Sequence, residues 1–148
     1  MSTTTDQRLN ELIDRAELAD LLVRQGRWLD ERRFDESGEI FTDDVTADTP
    51  GGRSAGLEAV VAQARRNHSP SERSQHVTTN VLIELDGDRA SVSAELVVRM
   101  FTEDEPEPYV TLGARNRFDA VRTDRGWRFS SITNSPLWMI GSPRVPAV

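Results

Sequence analysis

The segment that ends at Asp30 restricts the fold most, because it is predicted to be one long amphipathic helix. From Leu9 onwards, small or apolar residues recur at the spacing of one α-helical face and lead to a carboxylate: Leu12, Ala16, Ala19, Val23, Gly26 and Asp30. Three leucines widen the apolar surface beyond this face: Leu18, Leu22 and Leu29. A helix with so broad an apolar surface is expected to be covered on more than one side.

Two shorter helices are expected in the next part of the chain. One is predicted at Phe34–Phe41 and the other at Gly56–Arg66, whose basic end suits a helix C-terminus. Between them, Val45–Asp48 is predicted to be extended, and the Thr-Pro-Gly-Gly run that follows has the composition of a loop. Met1–Gln7 is expected to fray, and Asn67–Ser74 is a polar connection that contains a proline.

The rest of the chain is predicted to be β-structure. Alternating residues, separated by turn signals such as Asp-Gly-Asp, indicate four strands: Gln75–Leu85, Ala90–Phe101, Tyr109–Val121 and Trp127–Ile132, the last of which can extend to Leu137. In the first of these strands, alternation places Val77 and Ile83 on one side and His76 and Asn80 on the other. The tail, Gly141–Val148, contains two prolines and is expected to be irregular.

Helices followed by an antiparallel meander are typical of the α+β class. A curved antiparallel sheet wrapped around the N-terminal helices is the simplest way to bury the first helix, and it gives a cone-shaped α+β barrel. The interior of such a cone is a natural ligand pocket. A length of 148 residues suits a single domain, residues 1–148, with an ordered core at about residues 8–140.

The composition argues against several kinds of partner. A net charge of −7 and a pI of about 4.9 disfavour nucleic acid and anionic membranes, and no stretch approaches the roughly 20 apolar residues of a membrane span. The chain has no cysteine and only two histidines, so neither disulfides nor a metal site is expected. The polar N-terminus lacks the apolar core of a signal peptide, and the expected location is the cytoplasm.

Four local stretches, taken with the order of the elements, resemble the SnoaL-like branch of the nuclear transport factor 2-like superfamily. They are Trp28–Asp30 with Arg33–Asp35, Ile40–Val45, Gly56–Val60 and Gly126–Phe129. The likeness covers roughly Leu9 to Trp138. It implies a cystatin-like cone, and it implies a homodimer, because an exposed sheet face in this family usually belongs to a dimer.

Within that superfamily, Ser74-Gln75-His76 resembles the histidine-bearing strand start of the scytalone dehydratase and bile-acid dehydratase types. In those enzymes the histidine pairs with an aspartate at the end of the first helix, and Asp30 matches that place. Gln25 stands near the position of their tyrosine. Their second pocket histidine would fall near Gly113. This chain therefore lacks two polar groups that the dehydratases have.

The candidate catalytic residues are His76 and Asp30. A histidine can transfer protons near neutral pH, and a carboxylate bound to one imidazole nitrogen fixes the tautomer and stabilises the imidazolium. The residue pattern alone allows a plainer interpretation. In that case His76 caps a strand at the surface, and Asp30 is a solvated charge at a helix end.

Five further residues are candidates for substrate binding: Asn80, Gln25, Trp28, Arg115 and Asn134. Asn80 either shares a strand face with His76 or satisfies backbone groups at the sheet surface. Arg115 either holds a carboxylate or enolate inside the cone or forms a surface ladder with Glu95. Tryptophans of this kind are mostly core residues. His68 is expected to be exposed to solvent.

These observations predict a cofactor-independent enzyme that dehydrates, isomerises or cyclises a small apolar oxygenated molecule, with His76 as the base and Asp30 as its orienter. The alternative is a non-catalytic binding or dimerisation domain of the same fold, in which the two residues lie apart or side chains fill the cavity. A third possibility, an accessory subunit of a larger oxidoreductase, requires a large apolar patch on the outer face of the sheet.

Overall fold

The chain forms helices and short strands up to residue 67 and four long strands after it. The computed structural model describes residues 3–144. Its helices are α1 (Thr3–Asp30), a short 3₁₀ helix (Phe34–Glu39) and α2 (Leu57–Asn67). Its strands are β1 (Phe41–Thr49), β2 (Gly52–Ala55), β3 (Glu72–Asp86), β4 (Arg89–Thr102), β5 (Val110–Thr123) and β6 (Gly126–Gly141).

The six strands form one mixed sheet in the order β2-β1-β6-β5-β4-β3. The predicted antiparallel meander is present as β3 to β6, and the α+β class is confirmed. The expectation of a wholly antiparallel sheet is wrong, because β1 pairs in parallel with β6. These two strands are distant in sequence, so no hairpin turn fixes their relative direction. β2, which pairs with β1, was not predicted because glycine and proline surround it.

α1 buries a different face from the one that the apolar spacing predicts. Its buried residues recur at helical spacing and include two polar side chains: Asp14, Leu18, Leu21, Leu22, Gln25, Gly26 and Trp28. Leu12 and Val23, on the predicted face, are 63% and 54% exposed. The prediction failed because apolar periodicity gives no weight to core positions that polar residues occupy. α1 also begins at Thr3, so much of the segment predicted to fray is helical.

A β-bulge in β3 changes which residues share a face with His76. The register with β4 shifts just after Thr79, and Asn80 has a left-handed φ of 53°. Because an extra residue enters β3 here, the alternation of faces reverses beyond the bulge. Ile83 therefore pairs with the buried Val92 and lies on the His76 face, opposite to the predicted arrangement.

The N-terminal half of α1 is fixed to the sheet by an ion pair. Arg122 donates hydrogen bonds of 2.7 and 2.8 Å to the two carboxylate oxygens of Asp14, and one of 2.9 Å to Asp88. Trp127 Nε1 donates to Asp14 Oδ1 at 3.1 Å, and the Arg122 guanidinium lies 4.6 Å from the Trp127 ring centroid. The hydrogen bond from Arg122 holds the pKa of Asp14 below its ordinary value, although burial opposes this. We call these four residues the Asp14 cluster.

The two ends of the chain differ in part from the prediction. β6 continues past Ile132 to Gly141, and residues 142–144 form no regular element. The rest of the predicted C-terminal tail, and Met1 and Ser2 of the predicted N-terminal one, lie outside the described residues. Within residues 3–144, the structure has no helix that is both long and apolar enough to cross a membrane.

Candidate active site

The C-terminal end of α1 is closed by a Schellman motif, which presents Asp30 to the sheet. The Arg33 amide donates to the Trp28 carbonyl at 2.9 Å, and the Arg32 amide donates to the Leu29 carbonyl at 3.2 Å. Arg32 takes the left-handed position of this motif, with a φ of 54°. Glycine is the usual residue there, so Arg32 holds a strained backbone conformation at the end of the helix.

The structure brings Asp30 and His76 into direct contact. His76 Nδ1 lies 2.6 Å from Asp30 Oδ1, and the His76 amide donates to Oδ2 at 2.8 Å. Ser74 Oγ donates a further bond of 2.8 Å to Oδ1. Burial favours a higher pKa for Asp30, but the hydrogen bonds and charge of His76, together with Ser74, outweigh burial and lower it. Asp30 is therefore an ionised acceptor with both oxygens occupied.

The other ring nitrogen of His76 remains available. The His76 side chain is only 9% exposed, and its residue pairs with the buried Val98 on the inner face of the sheet. Within the described part of the chain, Nε2 has no hydrogen-bond partner. Gly26 lies close by, since a Cβ built on it would be 3.7 Å from the His76 Cβ. That distance is ordinary van der Waals contact, so a Cβ at position 26 would fit beside His76.

His68 lies beside the pair, and the expectation that it is exposed is wrong. Its ring centroid is 5.7 Å from that of His76, and its Nδ1 donates to the Ala64 carbonyl at 3.1 Å. Burial, followed by the nearby charge of His76, lowers the pKa of His68 to about 4. The polar composition of the connection gave no sign of this placement, in which the ring is partly buried beside His76.

A small cavity adjoins the pair, between the ends of α1 and α2 and the start of β3. Its lining includes charged and polar side chains: Asp30, Arg32, His68, Glu72, Arg73 and Ser74. It has room for about one water molecule, so this cavity alone is smaller than a substrate.

The sequence matches the SnoaL-like domain family over residues 10–133, which is most of the chain. The chain belongs to the SnoaL-like domain family. An uncharacterized protein of Mycobacterium tuberculosis is 29% identical over 123 residues, which cover 80% of this chain and 82% of that protein. Membership of the family explains the fold, but the chemistry of the site must be argued from the residues of this chain.

Solved structures share this SnoaL-like fold at low identity. The hexachlorocyclohexane dehydrochlorinase LinA-type3 of Novosphingobium barchaimii superposes with a TM-score of 0.78 at 20% identity, over 95% of this chain and 98% of that one. A proposed scytalone dehydratase of Novosphingobium aromaticivorans gives 0.80 at 17%, over 97% and 95%. A nuclear transport factor 2-like protein of the same organism with a cystatin-like fold gives 0.77 at 23%, over 93% and 90%. These likenesses confirm the predicted fold.

Two of the predicted binding residues lie in the interior of this SnoaL-like domain. Gln25 is buried on the inner face of α1, and its amide has no hydrogen-bond partner among residues 3–144. Asn134 donates from its amide nitrogen to Asn116 Oδ1 across β5 and β6, and its own Oδ1 is buried without a partner. Asn116 pairs with Ala94, four residues from the partner of His76, which is about 13 Å along β4.

The other three predicted binding residues are placed away from an interior site. Trp28 is a core residue: its rings pack against Phe34 and Phe41, and its Nε1 already donates to Ser37 Oγ at 2.8 Å. Asn80 is exposed in the β3 bulge, which interrupts the alternation on which its prediction depended. Arg115 lies on the outer face of the sheet and binds Glu95 at 2.7 Å, which is the surface ladder of the alternative interpretation.

Carboxylates and histidines do not converge elsewhere in a way that suits a metal. Among the described residues, no group of three or more histidine, aspartate or glutamate side chains is arranged to hold an ion. Asp43 and Asp44, adjacent in β1, are both exposed and point in different directions.

Proposed function

We propose that this protein is a cofactor-independent acid–base enzyme in which Asp30 orients His76 for proton transfer. The observation that carries the proposal is the 2.6 Å contact between His76 Nδ1 and Asp30 Oδ1, on the inner face of the sheet. Asp30 accepts three hydrogen bonds from the start of β3: one from Ser74 Oγ, one from the His76 side chain and one from the His76 amide. A solvated charge at a helix end would bind water instead.

We assign a role to each nitrogen of His76 from its hydrogen-bond partner. An ionised carboxylate only accepts, so Nδ1 carries the proton that binds Asp30 and Nε2 offers a lone pair. Nε2 removes a proton from a substrate carbon, and the electrons of that C–H bond form a double bond. In a dehydration the imidazolium returns the proton to the leaving hydroxyl, which departs as water. In an isomerisation the proton returns to another carbon. Asp30 stabilises the imidazolium between these steps.

Among the reaction classes, the names of two structurally similar proteins favour elimination. Two of the solved structures that superpose on the chain are named as a dehydrochlorinase and as a proposed dehydratase. Both names denote the removal of a small group together with a proton, which is what one base and one oriented substrate can perform. A small apolar oxygenated molecule would bind through Gln25 and Asn134, two interior amides with free hydrogen-bonding capacity.

The test is solvent deuterium exchange into a panel of β-hydroxy ketones and hydroxylated aromatic ketones in D₂O, followed by mass spectrometry. The wild type is expected to accelerate exchange or elimination for at least one compound, and His76→Ala is expected to lose that acceleration. Circular dichroism of both proteins controls for folding. Equal rates for His76→Ala and wild type would contradict the proposal and favour the non-catalytic binding domain of the same fold.

We also propose that the outer face of the sheet forms a homodimer. Val77, Trp138 and Ile140 are 39%, 46% and 69% exposed on this face. Val77, Val97, Gly113 and Trp138 form one row across β3 to β6, and the Trp138 ring lies directly over Gly113. Light scattering after gel filtration should give twice the chain mass of 16.6 kDa for the wild type. Trp138→Glu should give the monomer mass, and a monomeric wild type would contradict the dimer.

A further inference from the structure

Two polar groups that line the cavity beside the catalytic pair have no partner, and they differ in hydrogen-bonding type. The Arg32 guanidinium lies 5.2 Å from the Phe34 ring centroid, and its Nη1 is buried with no hydrogen bond within residues 3–144. His68 borders the same cavity. A buried guanidinium nitrogen without a partner is costly, so a missing acceptor is expected next to it.

His68, which lines this cavity, carries an acceptor without a partner. Its Nδ1 lies 3.1 Å from the Ala64 carbonyl, which can only accept, so Nδ1 holds the proton. The lone pair of the neutral ring is then on Nε2, at the edge of the ring that faces away from the α2 backbone. Since the pKa of His68 is lowered to about 4, the ring is neutral at pH 7 and Nε2 accepts but does not donate. In the part of the chain that the structure describes, Nε2 has no donor.

We propose that this cavity is a subsite for one neutral oxygen, either a water molecule or a substrate hydroxyl, which donates to His68 Nε2 and accepts from Arg32 Nη1. The available space matches, because the cavity has room for about one water molecule. Only the substrate arm of this inference rests on the proposed enzymatic function.

Charged ligands fit the same cavity poorly. The Asp30 and Glu72 carboxylates border it and repel an anion, and the neutral His68 adds a lone pair rather than a positive charge. Arg32 and Arg73 oppose a cation. A hydroxyl oxygen, by contrast, donates one hydrogen bond and accepts another, which is the complement of the two unpartnered groups.

The position of the subsite links it to the chemistry of the pair. The His68 and His76 rings are 5.7 Å apart, and Asp30 borders the cavity directly. A substrate hydroxyl held here would therefore lie next to the base. The expected substrate class is a molecule with a free hydroxyl close to the carbon that loses its proton.

The test is a crystal structure of the full chain at pH 7, at a resolution that shows ordered water, alone and after soaking with phenol or with anisole. Anisole is the matched control, because it has the same ring and no hydroxyl donor. An oxygen within hydrogen-bonding distance of both Arg32 Nη1 and His68 Nε2 is expected in the protein alone. Replacement of that oxygen by the phenol hydroxyl, and not by anisole, would identify a ligand hydroxyl as the occupant. Retention of the oxygen with phenol present would identify resident water.

Two variants separate this subsite from a packing role. Arg32→Met keeps the aliphatic stem and removes the donor, so the oxygen should be absent. His68→Gln places an amide near Nε2 and should retain the oxygen, whereas His68→Asn places its amide near Nδ1 and should lose it. An empty cavity, or a chloride ion in it, would overturn the inference. The readout is the position of an oxygen atom and not turnover. Failure of the subsite inference is therefore distinguishable from failure of the proposed enzymatic function.

Discussion

α1 carries two partly or fully buried carboxylates, Asp14 and Asp30, about 24 Å apart along the helix axis. Each has its pKa lowered by hydrogen bonds, and each joins the helix to a strand. They differ in the partner. Arg122, which binds Asp14, keeps its proton at every relevant pH, whereas the imidazole of His76, which binds Asp30, can gain and lose one. Under the proposed function, the same carboxylate chemistry serves anchoring at one end and proton transfer at the other.

The two regions also differ in how completely their polar atoms are paired. In the Asp14 cluster, all three guanidinium nitrogens of Arg122 and the indole nitrogen of Trp127 have acceptors. Around Asp30, His76 Nε2 and Arg32 Nη1 have none among residues 3–144. Complete pairing is what a stabilising cluster requires, and atoms left free next to an oriented histidine are what a substrate requires.

The largest expected effect is on turnover at the Asp30 end. Asp30→Asn replaces an acceptor by an amide that cannot fix the His76 tautomer or stabilise the imidazolium. A loss of about 10²–10⁴-fold in turnover is expected from the deuterium-exchange assay. The matched control is Asp14→Asn, the same substitution on the same helix, which should leave turnover within about twofold of wild type. Equal losses for both variants would erase the functional distinction between the two carboxylates.

The largest expected effect on stability is a pH dependence in the window that the pKa of His68 defines. Its pKa falls from an ordinary 6.5 to about 4 on folding, so between these values the unfolded chain binds more protons than the folded one. The free energy of unfolding should therefore decrease as pH falls from about 6.5 to 4, by up to about 3 kcal/mol. Urea unfolding at a series of pH values measures it. His68→Gln should flatten this slope, and an unchanged slope would show that His68 is not buried as a neutral ring.

Asp14→Asn should weaken the fold without affecting chemistry. The substitution leaves Arg122 without its bidentate acceptor and Trp127 Nε1 with a poorer one. Arg122 is 38% exposed, so the cost is smaller than for a fully buried pair and is about 2 kcal/mol. Urea denaturation at pH 7 checks this value. A stability equal to wild type would mean that the Asp14 cluster is not the anchor of α1.

The smallest expected effect is a gain in stability at Arg32. Glycine adopts the left-handed conformation without strain, so Arg32→Gly should raise the free energy of unfolding by about 1 kcal/mol. Arg32→Met, which keeps the strained backbone, is the control and should not show this gain. A less stable Arg32→Gly protein would indicate that the packing of the guanidinium on Phe34 outweighs the strain.

The order of elements and the approach of Asp30 to His76 could be anticipated, because helix periodicity, strand alternation and family resemblance are local or widely shared signals. The buried face of α1 could not, since the buried Asp14 is satisfied by Arg122 and Trp127, 108 and 113 residues further along the chain. The same reason applies to β1, whose parallel partner β6 is chosen by tertiary packing.

Errors in the site came from features that no local pattern encodes. One extra residue in β3 redirected Asn80, and the outward direction of Arg115 followed from the register between β4 and β5. His68 was missed because a histidine in a polar connection gives no sign of burial. A usable signal did exist: the chain has only two histidines, and His68 lies two residues after the end of a predicted helix, which could place it near the other.

A double-mutant cycle on deuterium exchange tests most directly whether Asp30 and His76 act as one proton-transfer unit. The four proteins are wild type, Asp30→Asn, His76→Ala and the double variant. If Asp30 works only through His76, the double variant should exchange no more slowly than His76→Ala alone. Losses that multiply would show that the two residues act independently and would contradict the proposed pair.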